Sequence, residues 1–281
     1  MNATLSGGWF GAARLRWIAA AIVIVNGFFP AVWILLTSFK PQLELVRKPI
    51  TYLPREFTFD NYVQVFREQP LATYLLNSVV VAGVSTVLTL IVSACAAYAI
   101  ARLRLRHRDL ILAAIIASST FPLVTLLIPI FETMRTLGLL NTYAALVLPY
   151  VVLSLPVCTL VLVSFFQSIP RDLENAAMID GATRFGAMWR VVLPLSAPGV
   201  FTAGILAFVN SWDEFLLALS LNSAARMRTL PVGIALYQGE FTFPWHIIAA
   251  ALVIAIVPIA VLITIFQERV VGGLSAGGMK G

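Results

Sequence analysis

Residues able to do chemistry are scarce in this sequence of 281 residues, and those present sit in apolar surroundings. Asn210, Asp213 and Glu214 stand at i, i+3 and i+4 inside an apolar run over roughly 199–221. On a helix that spacing places all three on one face. A charge at the centre of a bilayer costs about 2.5–3.5 kcal/mol on insertion scales, so two adjacent carboxylates must face protein or water. Trp212 points about 100° away from them, where it can stack on the ring of a solute or pack on a neighbouring helix. The cluster is therefore either a solute-pathway face or a polar clamp between helices. The other candidates are poorer. His107 and His246 have no metal-type spacing, Cys95 and Cys158 lie within apolar runs, and no CxxC, CxxH or HExxH pattern occurs. A phosphate-binding P-loop needs Gly-Lys followed by Ser or Thr. The only lysines are Lys40, Lys48 and Lys280, and none follows a glycine.

A second constellation occupies the polar stretch Ile169–Pro194. Pro170 suits a first helical turn, and Asp172 and Glu174 suit the positive end of a helix dipole. Leu173, Ala176 and Ala177 share a face at helical spacing. Asp180-Gly181 is a turn signal. Phe185, Met188, Trp189 and Val192 then recur at i, i+3, i+4 and i+7, and Pro194 and Pro198 close the segment. The pattern predicts two short amphipathic helices separated by a glycine, serving either as a docking element or as a hairpin lying on a membrane.

The elements that position these groups are membrane spans. Hydrophobic residues make up 60% of the chain and charged residues 11%, against roughly 45–50% and 25% in soluble domains. Mean hydropathy is +0.92. Soluble, disordered, disulfide-scaffold and coiled-coil classes are excluded together. Six apolar runs of the length needed to cross a bilayer, about 20 residues, lie at roughly 17–38, 74–101, 110–131, 143–166, 199–221 and 246–267. The first is longer than a signal-peptide core and has no cleavage site after it. Pro30, Pro122, Pro129, Pro149, Pro156 and Pro258 fall within or at the ends of spans and predict kinks. The link from Arg102 to Arg108 carries four arginines in seven residues, which keeps it cytoplasmic. With six spans both termini are then cytoplasmic, and the inner side carries 11 of the 19 basic residues. The net charge of +6 reflects this asymmetry rather than nucleic-acid binding.

Several motifs point to one family. Asn175-Ala176-Ala177, three residues, Gly181, nine residues and Val191-Val-Leu193-Pro194 resemble the EAA loop of ABC importer permeases, E-A-A, three residues, G, nine residues, I-x-L-P. Asn175 stands where the family usually has Glu, and Glu174 precedes it. Leu36-Thr-Ser-Phe-Lys-Pro41, Phe57-Thr-Phe-Asp-Asn-Tyr62, Asn77-Ser78, Ala97-Tyr98-Ala99, Ala101-Arg102-Leu103 and Ser211-Trp-Asp-Glu-Phe215 are similar to segments of the maltose-importer-type sugar permeases. The end, Gly273-Leu-Ser-Ala-Gly-Gly-Met-Lys-Gly281, resembles the tail of the MalG-like half of such a pair.

The resemblance implies an all-α, six-span type I ABC importer permease in a bacterial or archaeal plasma membrane, forming one permease domain over 1–281. It implies that Glu174, Asn175, Ala176, Ala177, Asp180, Gly181 and Pro194 belong to a coupling loop over 169–194. This loop docks on a cytoplasmic ATP-binding subunit, a homodimer or heterodimer that holds the ATP and Mg. Gly277, Gly278 and Lys280, in a tail over 269–281, would reach the interface of that dimer. A MalF-like second permease and an extracytoplasmic solute-binding protein complete the set. Asn210, Trp212, Asp213 and Glu214 are the candidates for a sugar pathway. This chain itself needs no cofactor and is not an enzyme. Importers of glycerol phosphate or an osmolyte share the loop. An ATP-independent channel or carrier has no reason to carry the loop or the glycine-rich tail, and no constellation here makes a membrane enzyme.

Overall fold

The computed structural model describes residues 7–103, 105–239 and 243–277, and among these every regular element is helical. In chain order, α1 spans Gly7–Ser38, α2 Gln42–Leu45, α3 Asp60–Glu68 and α4 Leu71–Arg102. Next come α5, Arg108–Ser119, α6, Leu123–Thr136, α7, Tyr143–Ser168, and α8, Arg171–Ile179. α9, Arg184–Ala187, continues through a π-helical turn at Met188–Val192 into α10, Leu193–Leu195. The remaining helices are α11, Ala197–Trp212, α12, Leu216–Leu221, a 3-10 turn at Ala225–Met227, α13, Leu230–Ala235, and α14, Trp245–Gly277. Gly278 and Lys280 of the tail, and Arg104 of the arginine link, lie outside the described residues.

Among the described residues four helices, within α1, α4, α7 and α14, are long and apolar enough to cross a membrane. Two sharply bent pairs raise the number to six if each is one span. The apolar runs are thus found as helices, with three corrections. The third run is not one rod, because α5 and α6 meet at 91°. Pro122 lacks an N–H and disfavours helical backbone at Phe121. The hydroxyls of Ser118, Ser119 and Thr120 each bond back to a carbonyl of the last turn of α5, satisfying groups the break would orphan. The fifth run is broken after Trp212 and resumes at Leu216. The sixth extends beyond 267, so the tail expected from 269 is helical through Gly277. Pro149 and Pro156, in contrast, leave α7 continuous over 26 residues.

Two compact units divide the chain, one formed by residues up to Gln69 with Leu236–Ile256 and the other by Pro70–Ala235 with the chain from Val257. In the first, α1 buries none of its apolar window, so lipid or another chain must cover it. The segment after α1 is held by polar staples. Asn61 Nδ2 donates to the carbonyls of Ser38 and Lys40 at 2.8 and 2.9 Å, and the Ser38 and Tyr62 hydroxyls are 2.7 Å apart. Buried Lys40 donates to the Thr51 carbonyl and lies 5.2 Å from the Trp33 ring. Buried Glu44 accepts from the Thr51 hydroxyl at 2.5 Å and the Arg55 amide at 3.0 Å. The Leu36–Pro41 and Phe57–Tyr62 motifs are therefore partners in space.

In the second unit, α4, α7 and α11 pack around Ala94, Ala97, Ala101, Cys158, Leu162, Phe166, Ala203 and Ala207. Lipid is as apolar as these side chains, so close packing at small residues, rather than exclusion of water, drives their association. The approach is close enough that a Cβ on Gly199 would sit 2.3 Å from the Phe165 ring. A second core joins Val81, Tyr150, Leu146, Leu217 and Leu221.

Candidate functional site

The helix–Gly–helix segment begins where α7 ends. The chain turns at Ile169-Pro170 and enters α8 with Asp172 and Glu174 in the first turn. α8 closes with backbone bonds from Asp180 to Ala176, Gly181 to Met178 and Ala182 to Ala177. Gly181 has φ +92°, and a Cβ there would meet nothing within 4 Å. The glycine is needed for its backbone conformation, not for space. Thr183 then caps α9, accepting from the Gly186 amide at 3.1 Å.

The two faces of α8 differ. Leu173, Ala176 and Ile179 are exposed, Ile179 to 86%. Asn175 and Asp180 are also exposed, and Ala177 is half-buried. Glu174 turns inward and is only 6% exposed. Its carboxylate accepts a hydrogen bond from the Tyr98 hydroxyl, and Arg102 Nε lies 3.1 Å from Oε2, an ion-pair distance without hydrogen-bond alignment. Arg102 Nη2 donates to the Ile169 carbonyl at 2.9 Å, and Arg171 Nη2 to the Ala101 carbonyl at 3.4 Å. The Tyr98 hydroxyl also lies 3.1 Å from the Arg184 carbonyl. The last turn of α4 thus holds the segment before, within and after α8.

The expected stripe of Phe185, Met188, Trp189 and Val192 splits. Met188 and Val192 are buried, while Phe185 and Trp189 are exposed and meet edge-to-face at 6.1 Å. The π turn at Met188–Val192 adds a residue to that turn and shifts the register of the stripe. Pro194 does not end the segment; it lies within α10, and the chain turns at Ser196 into α11, 83° away. Exposed apolar side chains from α8 and the α9 turn therefore share one loop, uncovered by any of the described residues.

The second candidate cluster is rearranged. Because α11 stops at Trp212, Asn210, Asp213 and Glu214 do not form one helical face. Glu214 accepts from the Leu217 and Ala218 amides at 2.8 and 3.0 Å, capping α12, and from the Tyr150 hydroxyl at 2.6 Å. Trp212 is buried and stacks on Phe208 with ring centres 5.5 Å apart. Asn210 donates to the Ser154 hydroxyl at 3.2 Å and is otherwise exposed, as is Asp213. Glu214 and Trp212 therefore hold structure, and Asn210 and Asp213 keep accessible polar groups. Tyr98, Arg102 and Tyr150, the partners of the two glutamates, were not singled out as site residues from sequence. Tyr98 and Arg102 stood in quoted motifs, but their pairing with Glu174 bridges more than 70 residues of chain.

Residues 89–275 match the family described as binding-protein-dependent transport system inner membrane component. The chain belongs to this family. It is 67% identical over 273 residues to the sulfoquinovosyl glycerol transport system permease protein SmoH of Agrobacterium fabrum, covering 97% of this chain and 96% of the relative. It is 39% identical over 275 residues to the trehalose transport system permease protein SugB of Mycobacterium tuberculosis, covering 96% and 100%. A bacterial ABC transporter involved in import of the acidic polysaccharide alginate superposes with a TM-score of 0.82 at 21% identity, covering 95% of this chain and 99% of that one. The fold is that of an ABC importer permease. As a family member, the chain is a multi-pass inner-membrane permease subunit of a sugar-type ABC importer. It is a transport subunit and not an enzyme; ATP hydrolysis belongs to a separate partner, and a solute-binding protein works with it. The family favours neither a channel nor a secondary carrier.

Proposed function

We propose that this permease carries an anionic sulfonated sugar glycoside of the sulfoquinovosyl glycerol class. The observation that supports this reading is 67% identity across 97% of the chain to a permease named for that solute. A sulfonate stays ionised at every physiological pH, so a carboxylate on the pathway must be engaged within the protein or meet the hydroxyl-bearing end of the solute rather than the sulfonate. Glu214 has its carboxylate engaged by Tyr150 and two amides. Asn210 and Asp213 remain to meet sugar hydroxyls, as donor and acceptor respectively. The test is uptake of labelled sulfoquinovosyl glycerol by cells lacking the gene and complemented with it. Restored uptake that excess trehalose does not compete away is expected. Restored trehalose uptake in its place overturns the reading.

α8 and its turn are read as the coupling loop, docked through Leu173, Ala176, Ile179 and the Phe185–Trp189 pair on an ATP-binding subunit. That subunit, a homodimer or heterodimer, holds ATP and Mg. This places the Arg102 end of α4 and both termini in the cytoplasm. The end of α14, through Gly277, is read as reaching toward the same subunit. A MalF-like second permease covers the bare apolar surface of α1.

A further inference from the structure

α4 differs from the other three long apolar helices. α1 contains Pro30, α7 contains Pro149 and Pro156, and α14 contains Pro258, whereas α4 contains no proline over its 32 residues. A proline removes a ladder hydrogen bond and softens the helix at that turn. Each end of α4 carries a polar grip. At one end, Tyr98 and Arg102 hold Glu174, with the three residues 7%, 8% and 6% exposed. At the other, Asn77 Nδ2 donates to the Arg226 and Arg228 carbonyls at 2.9 and 2.8 Å, and its Oδ1 accepts from the Tyr143 hydroxyl at 2.8 Å. Beside it, the Ser78 hydroxyl accepts from the Leu230 amide at 2.8 Å. From Asn77 to Arg102 the helix rises about 38 Å at about 1.5 Å per residue.

We propose that Glu174, Arg102 and Tyr98 are positioning residues that fasten the coupling loop to α4, making α4 the rod that carries the stroke to the segment over 222–230. The covalent route is the softer one. α8 joins α7 through the non-helical Ile169-Pro170, and α7, though continuous, lacks a backbone donor at Pro149 and at Pro156. Arg102 grips the Ile169 carbonyl as well, so the entry to α8 also moves with α4. Glu174 is spent inside the chain, and Asn175 stands in the usual glutamate position. The charge of Glu174 therefore serves attachment to α4 rather than contact with the ATP-binding subunit.

This inference rests on the coupling-loop reading, and one experiment separates the two. The complete importer is reconstituted in nanodiscs with its ATP-binding subunit and binding protein. Solute moved per ATP is measured in matching proteoliposomes. A fluorophore on Ser223→Cys, in a Cys95→Ala background, reports motion of the 222–230 segment. The double variant Arg102→Gln, Glu174→Gln leaves no orphaned buried charge, and Tyr98→Phe removes one hydroxyl at nearly constant volume. The double variant is expected to retain the ATP-binding subunit, lose the ATP-driven signal at Ser223→Cys, and lower solute per ATP by roughly fivefold or more. Tyr98→Phe is expected to shift both in the same direction by less. The exchange Arg102→Glu, Glu174→Arg should recover part of the ratio, which simple loss of packing would not allow. Wild-type ratios and signals in the double variant and in Tyr98→Phe overturn the rod. The separate variant Ile179→Asp should release the ATP-binding subunit; if it does not, the docking reading fails instead.

Discussion

Replacing Gly181 by alanine isolates the turn between α8 and α9. The position has φ +92°, and an added Cβ meets nothing within 4 Å, so there is no steric collision. The cost is conformational. An L-residue in the left-handed region costs about 1–2 kcal/mol. Gly138, between α6 and α7, provides a matched control, with φ +68° and equally open space. Both substitutions should lower the thermal stability of the purified subunit by about the same 1–2 kcal/mol. Only Gly181→Ala should also disturb the loop proposed to receive the ATP-binding subunit. If docking requires the native turn, that strain reappears as a factor of roughly 5–30 in affinity. The assay is a titration of the purified ATP-binding subunit onto the permease pair in nanodiscs, with solute-stimulated ATP hydrolysis as a second readout. Gly181→Ala is expected to weaken docking and Gly138→Ala to leave it unchanged. Equal docking by the two variants would refute the role given to the turn.

Glu214→Gln keeps one acceptor but loses the charge that caps α12, so thermal unfolding of the purified protein should reveal a loss of about 1–3 kcal/mol. Asp213→Asn should instead change the KM for solute with little effect on stability; the opposite pattern would exchange their roles. A methyl on Gly233 would sit 2.1 Å from the ring of buried Tyr74, so Gly233→Ala should destabilise by about 1–3 kcal/mol, measurable by thermal unfolding. Burial pushes the Glu44 carboxyl up, but bonds from Thr51 and the Arg55 and Glu56 amides, with the charge of Lys40, bring it below its ordinary value of 4.5. A depressed carboxyl stabilises above its unfolded value, and that contribution is lost as pH falls through the folded one. Proteolytic protection of the 39–69 segment should therefore fall below about pH 4.5 and be less pH-sensitive in Thr51→Val.

Hydropathy made the spans readable because each must bring about 20 apolar residues to the bilayer. The breaks were harder to read. Pro122 marked one of them, but whether a proline kinks a helix or ends it depends on its neighbours; α7 runs unbroken through two. The break after Trp212 has no proline. Its signal was Asp213-Glu214 just ahead of Leu216, an acidic pair suited to a helix start, which helical spacing disguised as a face. The helix–Gly–helix segment was legible in outline because a glycine between two amphipathic runs is a local pattern. The inward turn of Glu174 was not, since its partners lie on α4, and the π turn that exposes Trp189 leaves no mark in a 3.6-residue period. The Leu36–Pro41 and Phe57–Tyr62 motifs were visible as strings, but only the fold shows that Asn61 and Tyr62 staple Ser38 and Lys40.

The central claim is that this permease moves a sulfonated sugar glycoside by a stroke delivered to its coupling loop from a separate ATPase. Uptake of labelled sulfoquinovosyl glycerol into proteoliposomes holding the complete importer tests it most directly. Uptake is expected only with ATP, the ATP-binding subunit and the binding protein together, and Gly181→Pro should abolish it while leaving membrane insertion intact. Uptake without ATP, or undiminished uptake by Gly181→Pro, would contradict the account.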